Sequence, residues 1–177
     1  MIRAFKHIVV CWKCQSKWTK TKLDNALLLC KNIDMRISTR GRYATRALVD
    51  IALFQDQGPV SLREICERQG LSPKYLDQVL TRLKQAGIIR ALRGARGGFV
   101  LAKPPQDIDL LSVLLAVEGP IQVVDCVLDP LFCEKSETCV TRGLWMKVSQ
   151  AVEQVLASTR LQDLINDAKK LDPVTKA

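Results

Sequence analysis

The chain has 177 residues, a formal net charge of +9, 47% hydrophobic side chains and seven cysteines. That length holds one domain, or a small domain with an extension. Its early apolar runs (His7–Trp12, Asn25–Cys30) are too short and too broken by charge for a signal peptide, and no uncharged stretch approaches the ~18 residues of a membrane span. A secreted disulfide scaffold and a membrane protein are therefore excluded, and the expected place is the cytoplasm. There thiols stay reduced, and clustered cysteines bind metal or sense redox state. The charge is uneven. Residues 35–103 carry thirteen basic and five acidic side chains, residues 104–177 seven basic and eleven acidic. A basic module beside an acidic one points to a polyanion as partner of the first; the alternative is a solvated basic surface. No phosphate loop, His/carboxylate pair or nucleophile–base pair is legible, so neither an enzyme nor a small-molecule substrate is expected.

Residues 1–34 show no sustained period and read as an N-terminal extension. Cys11-x-x-Cys14 lies there without a second pair, and one pair alone says little about metal. Met35 opens a segment with the character of a fresh start. Ser38 or Thr39 caps a helix that places Tyr43, Ala47, Leu48, Ile51 and Ala52 on one face. Ser61-Leu62-Arg63-Glu64 is a capping box opening a helix to about Gln69, which Gly70 ends. Ser72-Pro73 opens the next, with Pro at the first position, where its missing N–H costs nothing. Leu76, Val79, Leu80 and Leu83 form its inner face to about Ala86, and Gly87 stops it. Two helices joined by about three residues make a helix-turn-helix. Ile88–Arg93 then reads as a strand, Gly94–Gly98 as a turn and Phe99–Leu101 as the return: a hairpin tipped with arginine, a wing. After Pro104-Pro105, Asp107 or Asp109 caps a helix through Val117, ended by Gly119-Pro120. A loop with Cys126, Cys133 and Cys139 follows. A long helix runs from about Cys139 to about Ala157, and Thr159, with Gln162 at the box position, caps a final short one. The fold class is mainly α with a small β-hairpin wing. The expected organisation is an extension (1–34), a winged helix-turn-helix domain (35–103), and a cysteine loop with dimerisation helices (104–177).

MRISTRGRYATRALVDIAL, then SPKYLDQVLTRLKQAGIIRALRGARGGFVLAKPP, then three closely spaced cysteines and Leu144-Trp145, resemble the IscR/NsrR-type winged-helix transcriptional regulators over about residues 35–170. The wing motif Arg93-Gly94-x-x-Gly97-Gly98-Phe99 and the cysteine trio carry the likeness. The resemblance implies a homodimer on a palindromic double-stranded DNA operator, acting as a repressor, with an iron–sulfur cluster that tunes binding. The helix from Pro73 would enter the major groove, with Lys74, Tyr75, Asp77 and Gln78 toward base edges. Asp77 stands where well-known members have Glu, which shifts the expected base preference. Arg93 matches the family's wing arginine and would enter a narrow minor groove. Arg96 and Arg90 would meet phosphates, and Arg36, Arg40, Arg42 and Arg46 would add sequence-independent attraction.

Cys126, Cys133 and Cys139 would hold the cluster, 2Fe-2S rather than 4Fe-4S, because thiolates suit iron and their spacing suits a loop around a bulky group. The apolar flanks would restrict solvent. In some relatives a His three residues after the last Cys completes the site; here that position is Arg142. A carboxylate of the first helix serves in others; here the place is Arg42. The lone His7 lies in the extension, so Glu134, Glu137 or a small exogenous ligand remain. The alternatives are a zinc site drawing on Cys66 or a carboxylate, a thiol–disulfide switch, cysteines without a role, and a metal-independent regulator acting through a partner protein. Cys66, on an apolar helix face, reads as a core residue. The long helix carries an apolar stripe that a second copy would cover.

Overall fold

The computed structural model describes residues 38–94, 96–121 and 123–171. All lie in one unit, Met35–Ala177. The expectations for Cys11, Cys14, Cys30, His7 and Arg36 fall outside the described residues.

Helix α1 (Thr39–Phe54) starts at Ser38, whose hydroxyl accepts from the Arg40 amide at 3.1 Å. Ala44, Ala47, Leu48 and Ile51 lie fully buried along it. Helix α2 (Leu62–Gln69) opens on the expected capping box, with both reciprocal bonds between Ser61 and Glu64 present. Those bonds hold the Glu64 carboxyl below its ordinary range. Gly70 ends the helix at φ +63°, a left-handed cap that favours glycine. Helix α3 (Pro73–Gln85) has Pro at its first turn and buries Leu76, Val79, Leu80 and Leu83, the four positions expected from spacing.

Strands β1 (Ile89–Leu92) and β2 (Gly98–Leu101) pair antiparallel, with Ile89 opposite Leu101 and Leu92 opposite Gly98. Val60 adds a short third edge: it exchanges both backbone bonds with Phe99, at 2.8 and 3.0 Å. This close approach explains the glycines. A Cβ on Gly98 would stand 2.6 Å from the Val60 carbonyl oxygen, and one on Gly97 2.6 Å from that of Leu92.

Helix α4 (Leu110–Glu118) is capped by Asp109, not Asp107; its carboxylate accepts from the Ser112 amide at 2.7 Å. Then come a short helix α5 (Asp125–Leu128), the long helix α6 (Arg142–Ser158) and α7 (Leu161–Leu171). The last cap differs from expectation. The Thr159 hydroxyl donates backward to the Val155 carbonyl at 2.8 Å, so it closes α6. Asp163, not Gln162, reaches back to cap α7, accepting from the Arg160 amide at 2.8 Å. One core runs through the molecule: Val113 and Val117 of α4 and Leu161 and Ile165 of α7 pack with the buried faces of α1, α2 and α3. The wing module and the C-terminal helices thus share a core across residue 103.

Candidate nucleic-acid interface and cysteine loop

Helices α2 and α3 are held at a fixed angle by a polar lock under the turn between them. The Asp50 carboxylate of α1 is fully buried, and Arg68 meets it through Nε and Nη2 at 3.0 and 2.7 Å. Gln69 Nε2 donates to the same carboxylate at 2.9 Å. Asp50 in turn keeps the Arg68 guanidinium more strongly protonated than usual. Arg68 also lies over the Phe54 ring, 4.1 Å from its centre. From α1, Arg46 reaches the Gln69 carbonyl at 2.6 Å. Arg46 is thus engaged at the turn, though it remains solvent-exposed.

On the α3 face opposite its buried leucines, Lys74, Asp77 and Gln78 are exposed near the helix N-terminus. Tyr75 is half-buried, its ring edge-on to Tyr43 at 5.5 Å, so it is anchored to α1 and presents less of itself outward. Arg93 and Arg96 stand exposed on either side of the wing turn, as do Arg90 on β1 and Arg42 on α1. Among the described candidates, only Tyr75 gives a substantial part of its surface to the core.

The cysteine loop is built differently. Cys126 lies on α5 and is half-buried, Cys133 is exposed after a 3₁₀ turn (Pro130–Phe132), and Cys139 is half-buried just before α6. All three are free thiols. The Thr141 hydroxyl sits 3.2 Å from the Cys139 sulfur, and with backbone N–H groups and the Arg142 charge it pulls that thiol below its ordinary pKa. Arg142 Nε donates to the Cys126 carbonyl at 3.0 Å and so ties α5 to the start of α6. The donors suit a soft metal. Their positions do not yet make a cage: among the described residues no three His, Cys, Asp or Glu side chains converge to hold a metal ion. Nor do the apolar flanks shield the loop, for Leu131, Phe132 and Val140 are 92%, 64% and 95% exposed. Glu134 and Glu137 point to solvent. Cys66 belongs to the helix-turn-helix core, where burial pushes its thiol pKa up; that disfavours the thiolate a zinc site would need.

Above this loop two contacts join it to the DNA-facing helices. Val123, ahead of α5, donates its amide to the Ser149 hydroxyl of α6 at 3.4 Å. At the C-terminus of α4, the Val117 carbonyl accepts from Arg82 of α3 at 3.3 Å, and Glu118 caps α1 through the Ser38 and Gly41 amides at 3.0 and 2.9 Å. No sequence signal marks these contacts, because each pairs residues far apart in the chain.

The family model described as Rrf2, iron-dependent transcriptional regulator, matches residues 37–167. The chain belongs to the Rrf2 family. It is 36% identical over 138 residues to the HTH-type transcriptional regulator IscR of Photorhabdus laumondii, covering 78% of this chain and 84% of that one. Among solved structures, T. potens IscR superposes with a TM-score of 0.64 at 37% identity, over 77% of this chain and 90% of that one. CymR, the global cysteine regulator of B. subtilis, gives 0.63 at 37% identity, over 74% and 96%. Rrf2 membership makes the chain a transcriptional regulator with a DNA-binding winged-helix fold, rather than an enzyme. No helix among its described residues is long and apolar enough to cross a membrane.

Proposed function

We propose that the chain is a homodimeric repressor whose grip on a palindromic operator is set by an iron–sulfur cluster on Cys126, Cys133 and Cys139. The observation that carries this reading is the loop itself: three free thiols, one of them with a lowered pKa, within fourteen residues of an Rrf2 chain. Bound there, the cluster would supply a reversible, oxidisable crosslink of the loop, 2Fe-2S being favoured by the small donor set. Because the thiols start apart, gathering them draws α5 toward the start of α6. Arg142 already bridges the two, and Ser149 passes the loop's position to α6. Val117 and Glu118 link the preceding helix to Arg82 and to the start of α1. A shift in the loop thereby reaches both helices that face DNA, a local event with a distant readout.

On DNA, Lys74, Asp77 and Gln78 supply base contacts, with Tyr75 contributing its hydroxyl end. Arg93 enters the minor groove, and Arg36, Arg42 and Arg96 meet phosphates. The dimer reading is supported by α6, in which Ser149 is the only buried residue while Leu144 and Val155 are 55% and 64% exposed. The test compares operator binding by anaerobically prepared holo-protein, apo-protein and Cys133→Ala. The loaded protein should differ from both others by about tenfold or more, the scale of typical allosteric coupling. Equal affinities and footprints in all three would end the sensing claim. They would favour the second reading, a thiol-based or metal-free regulator of the same fold, which the likeness to CymR and the free thiols support.

A further inference from the structure

We infer that Ser136 is the oxygen ligand that completes the cysteine site. This rests on the cluster reading above and names the donor that reading lacks. Three thiols leave one position of a four-donor set open. Arg142 has no lone pair to offer and is engaged with the Cys126 carbonyl. Glu134 and Glu137, the nearest carboxylates in the chain, are exposed to water, which satisfies them. Ser136 is different. It is only 4% exposed in an otherwise open loop, and its hydroxyl is the one buried side-chain oxygen or nitrogen among the described residues without a hydrogen-bond partner.

A buried hydroxyl left unpaired is costly, and native proteins rarely keep one without a reason. Here the position suggests the reason. Ser136 lies midway between Cys133 and Cys139, and its amide donates to the Cys133 carbonyl at 2.9 Å. That turn keeps the hydroxyl close along the backbone to the most exposed thiol of the trio. A serine oxygen is a hard donor suited to ferric iron. On binding, an iron–oxygen bond forms, the hydroxyl proton leaves to solvent, and no electron is transferred. An oxygen ligand of this kind is readily reprotonated, which makes the site labile where a fourth thiolate would make it durable.

The experiment uses the full chain, reconstituted anaerobically with ferrous iron and sulfide, as wild type, Ser136→Ala and Ser136→Cys. Loading of the wild type is scored first, by iron and sulfide content. Ser136→Ala should release its iron to a chelator at least about tenfold faster, the scale seen when a metal site loses a supporting group. Ser136→Cys should release it more slowly and show a changed visible absorption spectrum. In the metal-free state Ser136→Ala should melt at the same or a higher temperature, since it removes an unpaired buried hydroxyl. Loaded variants matching the wild type in spectrum and release rate would overturn the assignment and leave the cluster reading standing. So would a lower apo melting temperature with unchanged release, which marks a purely structural serine. A wild type that takes up neither iron nor sulfide would overturn both readings.

Discussion

Asp50 is the residue on which the DNA-facing geometry hangs. It is the only fully buried carboxylate among the described residues, and it is satisfied by Arg68 and Gln69 from the far end of α2. Removing Arg68 leaves a charge in the core without its counter-ion. Arg68→Met should therefore destabilise the fold by about 3 kcal/mol, as broken buried pairs do. The double variant Asp50→Leu/Arg68→Met should recover most of that loss, because apolar groups of similar size tolerate the site. Urea unfolding of the three proteins measures both values. Nothing in the sequence announces this lock. Asp50 sits among apolar residues of α1 and reads as one more exposed polar position, and its partners lie eighteen and nineteen residues away. Ser136 is silent in the sequence for a similar reason, since a serine between charged residues gives no hint of burial.

Among the elements, those with strong local chemistry were legible. The capping box at Ser61, Pro73 at the first turn of α3 and the Gly94–Gly98 wing turn are written in side chains that act on their own neighbours. The cap of α7 was not, because Thr159 has a choice of carbonyls and donates back to Val155 of α6. The cysteine loop lies between these cases. Its donors are plain in the sequence, but their convergence depends on long-range packing, and here they stay on separate segments. Helix α6 makes its own prediction. An apolar stripe with Leu144 and Val155 this exposed is a liability for a monomer and an interface for a dimer. Val155→Asp should move the protein from dimer to monomer in sedimentation at micromolar concentration. It should leave the helical circular dichroism intact, because no core contact is lost. A variant that sediments as the wild type does would remove α6 from the interface.

At the scale of the molecule, charge and fold divide the work. The basic winged module carries the exposed arginines and the exposed N-terminal face of α3, while the acidic part carries the thiols and α6. A single core and a few polar contacts through α4 join them, so a change at the loop has a physical route to the DNA-facing helices. The account stands on what the three thiols hold. Anaerobic purification of the full chain, followed by counts of iron and acid-labile sulfide and a visible spectrum, tests it most directly. The predicted result is a coloured protein with iron and sulfide in near-equal amounts, lost when Cys133 is replaced by Ala. A colourless protein that contains neither, and that does not take them up on reconstitution, would contradict it.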